Sequence, residues 1–366
     1  MSSVEKGARR ADIDLLRGLA ILFMVEAHVG ATLAPSDLST SAPLGLLAAS
    51  IGGLAAPLFI AVAGWGGLQA ARRRLGSAPG EWTAWLLPRV LLLLAAQLLV
   101  NVVMSPVFHW STPGVLSLFA LLALLMPLLA RLSLRTRMTL LTLLACAPLL
   151  LSDWTGVGWT WEERIRADDL AGWFGLLLLS GTYPLLPWLC FALLGGLLAD
   201  LDERRLRRLL LAGVLASVAT LLWAQANGET WASISGDSLL TFFPASTPFL
   251  VVSGTCVIAL HELVGRLPST EGRLVQAIGN LGRLSLSVYV VHFVPLTLWN
   301  HFVEPFDPSH ALALVGTLAY VLLWIPLGSW WHTRLPRLSI EHLLKECTRR
   351  LSAITDSGRE RTGRRY

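Results

Sequence analysis

Hydrophobic residues in this chain fall into long blocks separated by short polar stretches, without the strict alternation of half-buried strands. Residues 15–34, 44–70, 82–104, 114–131, 138–152, 183–200, 207–225, 245–265, 279–300 and 310–331 each read as an apolar run of membrane-span character. A further apolar piece, 170–181, is too short to cross alone and is expected to be re-entrant or packed on its neighbour. The pattern predicts an all-α fold, a polytopic transmembrane bundle of about ten helices, eleven if 170–181 counts as one.

Composition strengthens that reading. Of the 366 residues, 54% are hydrophobic and 14% charged, where a soluble domain carries about 25% charged residues. No stretch reads as a second, soluble domain. Residues 1–340 are therefore expected to form one transmembrane domain, and 341–366 a basic, disordered tail lying against lipid. Charge sets the orientation. Of the 29 Lys and Arg, only Arg164 and Arg166 fall in loops on the side away from both termini. The positive-inside rule then places both termini in the cytoplasm of an integral membrane protein, expected in a bacterial inner (plasma) membrane. The pI of about 9.4 follows from this asymmetry and calls for anionic lipid, not nucleic acid. The first apolar run is long and is expected to remain as an anchor.

The polar residues inside and between spans are the candidates for chemistry. Two outer loops, SPVFHWSTP (105–113) and SDWTGVGWTWEERIRADD (153–170), carry His109, Trp110, Trp154, Trp159 and Trp161, which interfacial anchoring explains better than carbohydrate stacking. Span two is rich in Gly and Ala, either for close helix packing or to leave a gap for a slender ligand. Cys146, Cys190, Cys256 and Cys347 have neither metal nor extracellular disulfide spacing and read as packing residues. No HExxH, paired-carboxylate, Gly-rich phosphate or GxSxG pattern appears, so no metal site and no bound cofactor are expected.

Span one is the exception. DLLRGLAILFMVEAHVG (14–30) carries Asp14, Arg17, Glu26 and His28 within or at the edge of an apolar run, where ionisable groups are costly. On a helix, Arg17 and His28 differ by about 20° around the axis, and Asp14 lies within about 60° of both. Those three share one stripe, with Arg17 about 16 Å from His28 along the axis. Glu26 points about 160° away from His28 and is expected to face a different neighbour. A neutral imidazole can take a proton from an attacking hydroxyl or amine. A guanidinium at the cytoplasmic mouth can hold phosphate or carboxylate. The stripe fits group transfer from a cytosolic carrier to an acceptor on the far side. Snorkelling by Arg17, paired with Asp14, is the bland alternative.

Arg17 and His28, with ten residues between them, match the R-x10-H pattern of membrane acyltransferases. IDLLRGLAILFMVEAH resembles the first-helix motif of acyltransferase family three and of the related heparan-α-glucosaminide N-acetyltransferase-like family. APLFIAVAGWG (56–66), GVLSLFALLALL (114–125) and YPLLPWLCFALLGGLLADL (183–201) are more similar to the second family, and LGRLSLSVYVVHFVPL (281–296) resembles the closing helix of both. The resemblance runs in order over about residues 11–330. It implies a ten- or eleven-helix bundle that moves an acyl group, commonly acetyl, from cytosolic acyl-CoA to a sugar amine or hydroxyl on the extracytoplasmic side. His28 would be the catalytic histidine, Arg17 its motif partner and Asp14 a support.

Further candidates are weaker. Tyr183 and Trp188 at the outer end of span six are set either to shape an acceptor pocket or to anchor at the interface. Ser285, Tyr289 and His292 follow at i, i+4, i+7 and are expected to line the interior, either touching the acceptor or only bonding between helices. Arg89 and Arg283, near the cytoplasmic ends of their helices, read singly as orientation charge first, with the CoA phosphates, shared with Arg17, as the functional alternative. The expected partners are thus membrane lipids, acyl-CoA as co-substrate and a sugar or glycan acceptor, with self-association left open. Two rival readings stand beside this one. In the first, a transporter or flippase uses the charges of span one as a relay. In the second, a non-catalytic relative keeps the bundle and binds a ligand.

Overall fold

The apolar blocks fold as helices whose ends are set by polar caps and prolines. A computed structural model describes residues 10–39, 43–105, 107–236, 238–267, 272–303 and 306–363. The basic residues expected to orient the chain within 1–9, and the last three residues, lie outside these. In chain order come α1 (Ala11–Thr32), α2 (Pro43–Arg72), α3 (Pro79–Val103), α4 (Val115–Leu129), α5 (Leu134–Leu150), α6 (Trp161–Ile165), α7 (Leu170–Gly175) and α8 (Leu185–Leu198). They are followed by α9 (Glu203–Asn227), α10 (Thr247–Gly265), α11 (Arg273–Arg283), α12 (Ser285–Val291), α13 (Phe293–Phe302), α14 (His310–Arg334) and α15 (Ile340–Gly363). Side chains of Ser133, Asp202, Ser246 and Ser309 accept from first-turn N–H groups of α5, α9, α10 and α14.

Among the described residues, six helices, α1, α2, α3, α9, α10 and α14, are long and apolar enough to cross a membrane. Two bent pairs raise the number to eight: 170–180 with α8, bent by 47°, and α11 with α12–α13, bent by 75°. The expected count of ten included 114–131 and 138–152, which fold as helices of 15 and 17 residues. Residues 170–181 make α7 and one π turn that belong with α8 as a broken span. Two corrections concern elements. A parallel two-stranded ladder, β1 (Ala232–Ser235) with β2 (Leu240–Phe243), interrupts the all-α fold. The stretch expected as a disordered tail contains α15, which packs along α3.

Helix α1 sits among α2, α11 and α14, and α2 packs in turn on α8. Small residues bring these backbones together. A Cβ on Gly282 would lie 2.1 Å from the Asp14 carbonyl oxygen, and one on Gly195 would lie 1.8 Å from that of Ala61. Gly64 meets the backbone of Ala192 at 2.2 Å in the same way. For Gly64 this favours close packing over a ligand gap. The buried centre holds Trp188, Phe191, Leu58 and Ile60. Helix α9 instead buries only Leu206 and Ala224 and turns Leu211, Leu215, Leu222 and Trp223 outward. Such an apolar exterior matches a lipid-facing surface.

Candidate active site

The stripe on α1 meets the broken span α11–α13 at both ends, through Asp14 and His28. At the N-terminal end of α1, Asp14 is buried and accepts from two guanidiniums. Arg283 Nε donates to its Oδ2 at 2.9 Å, and Arg17 Nη1 lies 3.4 Å from its Oδ1. Arg283 also reaches Asn280 Oδ1 at 3.4 Å, and Asn280 donates to Ser329 on α14 at 3.1 Å. One carboxylate thus meets two guanidiniums. Arg17 Nη2 turns toward α2, where a Cβ on Gly66 would come within 3.1 Å of it.

Fourteen residues on, about 20 Å along the helix, lies His28. Its Nδ1 is 2.8 Å from Nε2 of His292, and the rings stack with centroids 5.1 Å apart and planes 17° apart. Nδ1 of His292 is 3.1 Å from the carbonyl oxygen of Val288, which can only accept. With both rings neutral, the proton pattern follows from these contacts. His292 carries its proton on Nδ1 and donates to Val288, so its Nε2 accepts from the Nδ1–H of His28. Nε2 of His28 is then left with its lone pair. His292 is fully buried, whereas His28 keeps partial access. Tyr320 donates to the His292 carbonyl at 2.8 Å, and Phe293 packs on the His28 ring at 4.7 Å.

The break that aims His292 is capped from a distance. Helix α12 starts afresh inside the protein, and its first N–H groups need acceptors. Glu341, at the start of α15, supplies them: Leu286 N and Ser287 N donate to its Oε1 at 2.7 and 3.1 Å. Ser287 Oγ donates to Oε2 at 2.5 Å. The sequence reading missed Glu341, and its position in a charged, tail-like stretch is the reason.

The other expected residues divide. Tyr289 meets His292 edge-on at 6.0 Å, and Tyr183 packs against the same apolar cluster as Tyr289. Trp188 touches Tyr183 at 5.2 Å, with its indole buried among Phe191, Phe242 and Phe249. Ser285 is not brought to the histidines. It opens α12, seven residues or about 10 Å before His292. Arg89 makes its contacts elsewhere, folding back on Trp85. Glu26 faces α2, its Oε2 3.3 Å from where a Gly52 Cβ would stand, and that oxygen is buried without a hydrogen-bond partner.

The outer loops brace one another above this region. Trp161 donates to Val107 at 2.9 Å, Trp173 to Ser111 at 2.8 Å, and Thr112 to Ile165 at 2.8 Å. Arg164 is buried and donates to the carbonyls of Thr155, Gly156 and Ser180. It ties the loop to the turn that leads into Tyr183.

The apolar helical bundle thus holds a paired-histidine centre and a charged cluster at the two ends of one stripe. Residues 9–229 match the family model described as heparan-alpha-glucosaminide N-acetyltransferase, catalytic. The chain belongs to that family, which makes it a membrane acetyltransferase by class. Residues 195–350 match a second model, described as a protein of unknown function (DUF418). His28, Arg17 and Asp14 lie in the first match, while Arg283, His292 and Glu341 lie in the second. No curated protein matches the chain.

Proposed function

We propose that the protein transfers an acyl group, acetyl in the first instance, from acyl-CoA to an amine or hydroxyl of a sugar-like acceptor across the membrane. The observation that carries this reading is the hydrogen bond between His28 and His292, which leaves His28 Nε2 as a lone-pair base in a partly accessible position. The donor enters from the cytoplasmic side, where Arg17 and Arg283 around Asp14 attract its phosphates. Its thioester extends toward His28. Tyr183 and Tyr289 form the aromatic wall on which the acceptor rests, and Trp188, fully buried, backs Tyr183.

In the transfer, His28 Nε2 takes the proton as the acceptor's nitrogen or oxygen attacks the thioester carbonyl. The carbon–sulfur bond breaks, and the CoA thiolate leaves and receives the proton. His292 holds the ring orientation and the tautomer, a positioning role in place of the acceptor contact that its spacing also allowed. Ser285 takes no part. The chain is integral to a bacterial plasma membrane, with both termini cytoplasmic and no metal or bound cofactor required.

The test uses purified protein with acetyl-CoA and a panel of amino sugars and neutral sugars, following free thiol and acetylated product. Acceptor-dependent thiol release that disappears in His28→Ala, with the protein still folded, is the expected result. Equal release by wild type and His28→Ala overturns the assignment of the base.

A further inference from the structure

A second cationic feature stands apart from the Asp14 cluster. Trp85, buried in the first half of α3, carries two guanidiniums against its ring. Arg74 lies 4.8 Å from the ring centroid and Arg89 lies 4.9 Å from it. Arg89 runs back along its own helix, its Nη1 donating to the Trp85 carbonyl at 3.2 Å. Arg74 donates to the Ala70 carbonyl at 2.9 Å. Among the described residues, neither arginine has a carboxylate within 4.0 Å, whereas Arg72 and Arg137 nearby in sequence and space share Asp200. Burial holds the Arg74 guanidinium below its ordinary value, Arg73 adds to this, and Glu81 offsets part of it. Like-charged groups converging on one ring without a bonded counter-ion favour a bound anion. Both arginines retain donors that their carbonyl contacts leave over, and two forked guanidiniums suit the oxygens of a phosphate.

We propose that Arg74 and Arg89, bracketing Trp85, form a phosphate-binding site at the start of α3, for the phosphates of the acyl donor or of a phospholipid headgroup. The donor arm rests on the function proposed above; the phosphate site itself does not. From sequence Arg89 read as orientation charge or, with Arg17 and Arg283, as a CoA contact. The structure joins it with Arg74 in one bracket.

The experiment measures binding of inorganic pyrophosphate and of acetyl-CoA to full-length purified protein, by calorimetry at low salt. Wild type is compared with Arg74→Gln, Arg89→Gln and the double variant, and with Arg74→Lys and Arg89→Lys, which keep the charge. Wild-type binding of pyrophosphate, weakened about tenfold by each Gln change and largely kept by each Lys change, supports the bracket. If acetyl-CoA weakens in parallel, the donor is its source. If acetyl-CoA affinity is unchanged while phosphatidic acid in nanodiscs displaces pyrophosphate, the source is lipid. Failure of acetyl-CoA to bind wild type, with pyrophosphate binding intact and arginine-dependent, removes the donor reading and leaves the bracket standing. Pyrophosphate that does not bind, or binds equally to wild type and the double Gln variant, overturns the bracket.

Discussion

His292→Ala isolates the positioning role because His292 touches His28 and lies far from the charged mouth. The substitution removes an acceptor 2.8 Å from His28 Nδ1 and a ring stacked at 5.1 Å. The hydrogen bond alone is worth ~1 kcal/mol, about fivefold in rate. The larger loss is the tautomer. A His28 ring free to turn, or to carry its proton on Nε2, forfeits part of a general-base contribution of about 10²–10⁴. Together these predict a fall in kcat of about 10²-fold, with KM for acetyl-CoA unchanged, since the phosphate contacts proposed at Arg17 and Arg283 lie about 20 Å away along α1. His292→Gln is the control. Its carbonyl can accept from His28 and its amide can donate to Val288, so it should recover much of the activity. The assay is steady-state thiol release, with thermal unfolding run in parallel because His292 is fully buried. Wild-type kcat in a folded His292→Ala protein, or a change confined to KM for the acceptor, refutes the argument.

Four further outcomes follow from the packing and charge. Gly195→Ala forces a methyl to within 1.8 Å of the Ala61 carbonyl and should abolish monodisperse protein, whereas Gly175→Ala meets open space and should leave the melting temperature unchanged or higher. Size-exclusion profiles and melting curves check both. Burial would raise the Asp200 carboxyl, but hydrogen bonds from Arg72 and Arg137 hold it below the usual carboxylate range. Its folded-state value is depressed, so its contribution is complete at neutral pH and is lost as the pH falls below about 4. Asp200→Asn should therefore cost ~1.5–3 kcal/mol at pH 7 and flatten the acid limb of the stability profile. Arg164→Met removes the donor to three loop carbonyls, and limited chymotrypsin digestion should then cut faster at Trp154, Trp159 or Trp161. Glu341→Ala strips the cap from α12 and should lower stability by ~1–2 kcal/mol and kcat with it, because His292 ends that helix; unchanged kcat would separate α15 from the site.

Much of this arrangement was legible from one helix. The 3.6-residue period separates Asp14, Arg17 and His28 from Glu26, and the structure partners Asp14 and His28 on α11–α13 while Glu26 faces α2. Arg283, Tyr289 and His292 were visible as polar residues on an apolar background. That His292 bonds His28 was not visible, because 264 residues separate them and only tertiary packing chooses the pair. Helix α15 was misread because its charges resemble a solvated tail. The spacing of Leu343, Leu344, Cys347 and Leu351 was the amphipathic signal that composition masked. The bend after Arg283 carries no Pro or Gly pair to announce it. It depends on a carboxylate from the next segment of chain, 55 residues on from Leu286.

The broken span explains how one apolar helix tolerates so many ionisable groups. A continuous helix opposite α1 would present its side chains at one pitch and could not match a carboxylate at one end and an imidazole at the other by design of either alone. Breaking it after Arg283 lets the two pieces be set separately. Helix α11 comes close enough, through Gly18 and Gly282, for Arg283 to reach Asp14. Helix α12, turned by 75° and held by Glu341, delivers His292 to His28. Each buried polar group on the stripe is thereby paired, which offsets the desolvation that would otherwise expel it. Glu26 lies off the stripe, and the broken span does nothing for it; its carboxylate is left against Gly52.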